Sequence, residues 1–485
     1  MCGVCGEIRF DGTEPDVAAV AAMTEAMHPR GPDGAGVFVQ GTTALGHRRL
    51  SIIDLSTRGA QPMIDTELRL ALVFNGCLYN YRQLRTQLQN SGYRFFSTSD
   101  SEVVLKAFHH WGSYCVDHFV GMFAFAVTDL DNGSLVLARD RLGIKPLYVA
   151  QTSSRLRFAS TVPALLRAGD VDRILDPVAL HHYLSFHSVV PAPHTIYRGI
   201  RKLPAATVRV VMPDGLSADR CYWEPDFSPD PERAGWSTEE WQEALLDSLR
   251  TAVYRRMVGD VPVGVLLSGG IDSSVVVALL AEQGQQDLAT FSIGFDSAGG
   301  ESGNEFAYSD LVARTFATDH HRIHIDSARL VPAVPKTVAA MSEPMVSHDC
   351  VAFYLLSEEV HKSVKVVQTG QGADEILAGY DWYPPLRHVP REDAADAYAR
   401  VFVDRSHADV DALLRPEYRV GRDVSHEFLA AHHGAPGASS AVDSALRLDT
   451  TVMLVEDPVK RVDTMTMAWG LEARVPFLDH EFVEL

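Results

Sequence analysis

The stretch VPVGVLLSGGIDSSVVVALLAEQ, residues 261–283, decides the fold class of the second half of this chain. VPVGVLL is a short, continuous apolar run, as expected of a strand buried on both faces. SGG interrupts it as a loop, and IDSSVVVALLAEQ follows with the length and composition of a helix. Farther along, VKVVQT followed by GQGADE repeats the strand-then-loop arrangement. Apolar strand, glycine-rich loop and helix in alternation predict an α/β unit with a parallel sheet.

The first half reads differently. LRLALVFN, GMFAFAVTDL and GSLVLARD are short alternating or apolar runs separated by Gly, Asn and Asp, which are strand and turn signals. Helical patterns intervene in PDVAAVAAMTEAM and SEVVLKAFHHW. The halves part at WEPDFSPDPERAGWS (223–237), whose Pro, Asp and Glu content suits an exposed linker. A helix-like segment at 239–256 opens the second half. A length of 485 residues exceeds one ordinary core. The expected organisation is therefore 1–222, a linker at 223–237, and 238–485. The closing HEFVEL stops in a helix-like pattern without cap or breaker, which reads as a cut inside the second domain.

Composition narrows the partners. With 46% hydrophobic and 22% charged residues the chain is globular, and a formal charge of −20 argues against nucleic acid or an anionic membrane surface. An anionic small molecule remains admissible, held by a local Arg/Lys pocket. MCGVCGEIRF lacks the basic and apolar regions of a signal peptide, and no run approaches the roughly 20 apolar residues of a membrane span. Cysteines at 2, 5, 77, 115, 221 and 350 form no disulfide framework. A reduced, cytoplasmic protein acting on small molecules is expected, with a second copy of the chain as an admissible partner.

Cys2 is small enough for the initiator Met to be removed, which would place a thiol and a free α-amine on one residue. An α-amine with a pKa of roughly 7.7–8.0 is partly neutral near pH 7 and can accept the thiol proton. An N-terminal nucleophile thus carries its own base. Cys5 makes a CxxC with Cys2, but no second CxxC completes a zinc ribbon, and Cys5 lies in a strand pattern that assigns it to the core.

Behind Cys2 come RGPDG (30–34), GHRRLSIIDL (46–55), NGCLYNY (75–81), TSDSE (98–102) and DRLGIKPLY (140–148). Together these resemble the glutaminase domain of class II amidotransferases, specifically the asparagine synthetase branch. The resemblance implies an N-terminal-nucleophile αββα sandwich, with Cys2 as the nucleophile that frees ammonia from glutamine. It further implies Arg49 as the clamp on the glutamine α-carboxylate, where a planar fork pairs bidentately. Asp100 is implied to hold the α-ammonium, with Asn75 and Gly76 as the oxyanion hole. Taken singly, Arg49 also suits a surface ion pair, Asp100 a helix N-cap and Asn75–Gly76 a hairpin turn. Their order behind Cys2 favours the catalytic reading. Cys77 departs from the family's usual Glu.

In the second half SGGIDSS (268–274) follows a strand and opens a helix. Gly269 and Gly270 permit close backbone approach, Ser268, Ser273 and Ser274 supply hydroxyls, and a helix N-terminus favours anions. No Gly-Lys-Ser/Thr follows, so this is not a Walker A loop. It resembles the pyrophosphate loop of ATP-pyrophosphatases, a turn capped by Asp272 being the plainer alternative. By the same resemblance Leu267 and the strand around Ile293 in TFSIGF (290–295) would contact the nucleotide. So would Thr369 and Gly370 of TGQGADE (369–375). Asp374 would hold Mg²⁺ with Asp272, hard oxygens suiting that ion. MAWGLEARVPFLDH (467–480) resembles the family's carboxy-terminal signature, and Arg474 within it suits either a functional role or a structural ion pair.

A glutaminase joined to an acyl-adenylating module implies one chemistry: glutamine yields ammonia, ATP activates an acceptor carboxylate, and ammonia displaces AMP. Ammonia must stay unprotonated to attack, so a sheltered passage between domains is expected. The acceptor is aspartate in asparagine synthetases. Gln371 stands where they usually carry Glu, Thr464 where they commonly carry Lys or Arg, and SEPMVSHDCVAFY (342–354) departs from their usual wording. These departures resemble the branch that amidates N-acetylglutaminylglutamine. Two other classes stay open: an ammonia-independent ATP-dependent synthetase of the same superfamily, and a non-catalytic sensor or scaffold. Four His pairs (109–110, 181–182, 320–321, 432–433) suggest no metal, because adjacent side chains diverge.

Overall fold

A computed structural model describes residues 2–285, 287–296, 303–345 and 349–485. The strand runs of the first half resolve into two antiparallel sheets of six strands each. Side chains on a strand alternate faces, and the strand Leu70–Leu78 uses both. Ala71 and Val73 turn inward to meet Val4, Leu45 and Phe158 of the opposing sheet. Leu72 and Phe74 turn outward into a core shared with Leu84 and Val104 of the helices Tyr81–Asn90 and Asp100–Trp111. On the other outer face Cys5 packs with Val20 and Met23 of the helix Val17–Ala26 and with Leu165 of Val162–Arg167. The layers run helix, sheet, sheet, helix, and Cys5 is a core residue.

The second half carries a five-stranded, all-parallel sheet. Its order is Asp319–Ile325, Ala289–Phe295, Val263–Leu266, Val366–Gln368, Glu472–Arg474. Along it the chain runs backward to Val263–Leu266 and then forward, so the order reverses between Val263–Leu266 and Val366–Gln368. Open α/β sheets bind ligands beyond the carboxyl ends of their strands at such a switch point. The two loops singled out in the sequence leave the sheet there. The helix Ile271–Glu282 packs Val276, Val277 and Leu280 against Leu249 and Val253 of Thr238–Arg255. That second helix opens with a capping box between Ser237 and Glu240.

The stretch 223–237 is mostly exposed yet anchored. Phe227 bridges Ala438, and the Trp223 indole donates to Glu484 at 2.6 Å. The sequence boundary is also not the packing boundary. Phe186 and Val189 sit in the core of a helical lobe with Tyr383, Tyr398, Leu429 and Leu448. Arg474 is a buried structural ion pair, 2.6 Å from Glu472, and it donates to the carbonyl of Arg256 at 2.7 Å. Among the described residues no helix is long and apolar enough to cross a membrane.

Candidate functional site

Cys2 precedes the strand Gly3–Arg9 and is buried at the rim of a small cavity. The cavity wall also holds Arg49, Gly76, Cys77, Asp100 and Glu472. The structure thus gathers four residues the sequence singled out around one thiol. Asn75 stands beside them: its Oδ1 accepts from the Cys2 N–H at 3.0 Å. The Asn75 amide Nδ2 is buried and has no hydrogen-bond partner among the described residues. A buried, unpaired donor is costly unless something is meant to use it.

The plainer readings of these residues fail on geometry. Asn75 and Gly76 are no turn, since both lie inside a strand paired with Gly121–Asp129. Gly76 is required there, because a Cβ would come 2.3 Å from the Met122 carbonyl. Asp100 does not cap its helix; Ser99 does, accepting from the Glu102 N–H at 3.2 Å. Asp100 instead accepts from the Leu78 N–H at 3.1 Å, and burial pushes its carboxyl up to about 6. Arg49 is no surface ion pair. It donates to the Ser56 carbonyl at 2.8 Å and to that of Asp54. A Cβ at Gly59 would press on its guanidinium at 2.4 Å, so that glycine makes its room. Burial pushes the Cys2 and Cys77 thiols up. Cys77 has no base of its own, so it does not compete as a thiolate.

The second cavity, about 1160 Å³, opens at the switch point of the parallel sheet. Leu267, Ser268, Gly270, Asp272, Ser273 and Ile293 line it from one side. Thr369, Gly370, Gln371 and Asp374 line it from the other. The two loops nearly touch, for a Cβ on Gly370 would lie 2.9 Å from both the Asp272 Cβ and the Ser273 N. Gly269 has φ +95°, and a side chain there would strike Tyr308 and Ser309. Gly269 and Ser274 do not line the cavity. Gly269 shapes the turn, and the Ser274 hydroxyl is spent on the Gly270 carbonyl at 2.6 Å. Asp272 is not the cap of its helix, which starts at Gly270 without a side-chain cap. Its carboxyl is raised by burial and by the charge of Asp374. Two carboxylates facing one cavity are an arrangement that fits a divalent cation.

Sequence reasoning missed Arg461, Glu375 and Tyr380 on this cavity wall. It also grouped Gln371 with Thr464, and the structure separates them. Thr464 lines a third cavity, about 1080 Å³, together with Arg30, Lys202, Lys336, Tyr354 and Met467. One wall divides the two spaces. On the helix Asp349–Val360, Tyr354 faces the third cavity while Phe353 and Leu356 face the second. Residues 346–348 of the divergent stretch lie outside the described residues.

Two family models match this chain: a glutamine amidotransferase domain over residues 1–223 and an asparagine synthase over 244–485. Glutamine-hydrolysing asparagine synthetases 1 and 3 of Bacillus subtilis (strain 168) are each 30% identical. They align over 99% and 100% of this chain and 79% and 80% of their own length. Amidase chyE of Penicillium rubens is 32% identical over 79% of this chain and 59% of its own. On these matches the chain belongs to the glutamine-hydrolysing asparagine synthetase family, ligases that use ATP and take their amido nitrogen from glutamine.

Proposed function

We propose that residues 1–222 hydrolyse glutamine through Cys2 and that residues 238–485 adenylate the carboxylate of N-acetylglutaminylglutamine, which ammonia then converts to an amide. The observation that carries the glutaminase reading is the shared cavity of Cys2, Arg49, Gly76 and Asp100, with the unpartnered Asn75 amide beside it. The Cys2 thiolate adds to the side-chain carbonyl of glutamine. Asn75 Nδ2 and the Gly76 N–H take the developing oxyanion, ammonia leaves, and water hydrolyses the thioester to glutamate. Arg49 holds the α-carboxylate and Asp100 the α-ammonium. The α-amine of Cys2, freed by removal of Met1, is the base that an elevated thiol pKa requires.

In the second half the Ser268–Ser274 loop and Thr369–Gly370 cradle the ATP phosphates, with Leu267 and Ile293 against the base. Asp272 and Asp374 would hold Mg²⁺, which when bound neutralises phosphate charge. The acceptor carboxylate attacks the α-phosphate, pyrophosphate departs, and neutral ammonia displaces AMP from the acyl carbon. The third cavity supports a sheltered route for ammonia: Arg30 on its wall donates to the Cys2 carbonyl at 3.2 Å.

Gln371, a neutral side chain on the adenylation cavity, supports the dipeptide acceptor, because the wall at that position complements no charge on the acceptor. Aspartate is the second reading, favoured by the printed names of the Bacillus subtilis relatives. An assay of AMP release with ATP, glutamine and each acceptor separates them. AMP release with N-acetylglutaminylglutamine supports the proposal, and turnover with aspartate alone overturns it.

A further inference from the structure

Away from these three cavities, two imidazoles and a carboxylate meet at the junction of the first half with the helical lobe. His181 is buried on the helix Pro177–Ser185, His407 opens the helix His407–Leu413, and Asp423 caps Val424–Gly434. His181 Nε2 lies 2.9 Å from His407 Nδ1, and with an Asp423 oxygen the three ligand atoms all fall within 4.8 Å of one another. His181 and His182 point to the same Ser425 hydroxyl, at 2.8 and 3.0 Å. Adjacent histidines therefore do converge here, contrary to the sequence expectation, yet the partner that completes a ligand set is His407.

The outer contact of His181 is that of a metal ligand, and Asp411 stands near the outer nitrogen of His407. A ligating imidazole usually donates its second N–H to a fixed acceptor, which orients the ring. His181 Nδ1 reaches Ser425 Oγ, and His407 Nε2 lies 3.8 Å from Asp411. Asp423 spends Oδ1 on the His426 N–H at 2.9 Å, which leaves its second oxygen for another partner. We propose that His181, His407 and Asp423 bind a zinc-class divalent cation, with a fourth position left to water. Two imidazole nitrogens and one carboxylate oxygen are a zinc-type donor set. The ion would pin the helix Pro177–Ser185 to the helical lobe at a site separate from ammonia transfer.

Zinc alone, titrated into the full chain against a chromophoric chelator, tests this, with Co²⁺ as the spectroscopic probe. A single equivalent is expected, with cobalt ligand-field bands and no thiolate charge-transfer band, which separates this site from the cysteines. His407→Gln should weaken binding at least about tenfold, and Ser425→Ala about 10–100-fold, while hydrolysis of glutamine at Cys2 is unchanged. Should His407→Gln fail to fold, Asp423→Asn preserves the helix cap and carries the same expectation. The absence of a stoichiometric equivalent, or wild-type affinity in the folded variants, overturns the proposal.

Discussion

Arg30 and Asp463, 433 positions apart in the chain, meet at 2.9 Å with both side chains buried. Arg30 also donates to the Cys2 carbonyl at 3.2 Å, and Lys145 approaches Asp463 at 3.4 Å. A carboxylate of the second half therefore braces the backbone of Cys2 in the first. Burial pushes the Asp463 carboxyl up, but Arg30 and Lys145 more than offset it and hold it below its ordinary value. The stability it contributes is present above the ordinary carboxylate range and lost as pH falls through the lowered value.

Asp463→Asn would leave two buried cations without their carboxylate. Stability should fall by about 3–5 kcal/mol, the cost of removing one partner of a buried pair, read as a lower denaturant midpoint. An unchanged midpoint would show that the pair does not join the halves.

On the proposed mechanism Asn75→Ala removes a donor to the oxyanion. Glutamine hydrolysis should fall about 10²–10³-fold in kcat, with KM changed far less. A loss confined to KM would assign Asn75 to substrate binding instead.

Burial lifts Asp100 to about 6, and on the proposed mechanism only its ionised form pairs with the glutamine ammonium. KM for glutamine should therefore rise as pH falls below about 6, approaching about tenfold per pH unit. Folding responds with the opposite sign: relative to the unfolded chain, stability declines as pH rises through that range, since a charge is then buried. Asp100→Asn should raise KM and flatten its pH dependence. A pH profile identical to that of the wild type would remove Asp100 from the ammonium site.

Gly370→Ala forces a methyl against Asp272 and Ser273, where 2.9 Å is available. ATP-dependent synthesis should collapse while glutamine hydrolysis at Cys2 continues, measured as glutamate release. Parallel loss of both activities would point to global unfolding.

Much of this was legible in the chain for a physical reason: strands and the loops that leave them are local. The run at 261–283 carries its strand, turn and helix in adjacent residues, so the loops at the switch point are legible without the sheet order. Asn75, Gly76 and Asp100 were readable as a set, although their plainer roles fell only once strand pairing and the true cap Ser99 were seen. What escaped is non-local. Nothing near Arg30 or Lys145 announces Asp463, and Glu472 reaches the Cys2 cavity only because the last strand of the parallel sheet abuts the sandwich. Thr464 sits on the helix Lys460–Met467, which continues a π-turned run, whereas Gln371 lies in the loop after the strand Val366–Gln368, and no local pattern tells which cavity each reaches. Pro458 lies in that run, and its missing N–H suits the wide turn.

The most direct measurement compares Cys2→Ala with the wild-type chain in ATP-dependent amide formation, supplied in turn with glutamine and with ammonium. The variant should lose glutamine-driven synthesis and keep ammonium-driven synthesis at the wild-type rate. Glutamine-driven synthesis that persists in Cys2→Ala would contradict the assignment of Cys2 as the nucleophile.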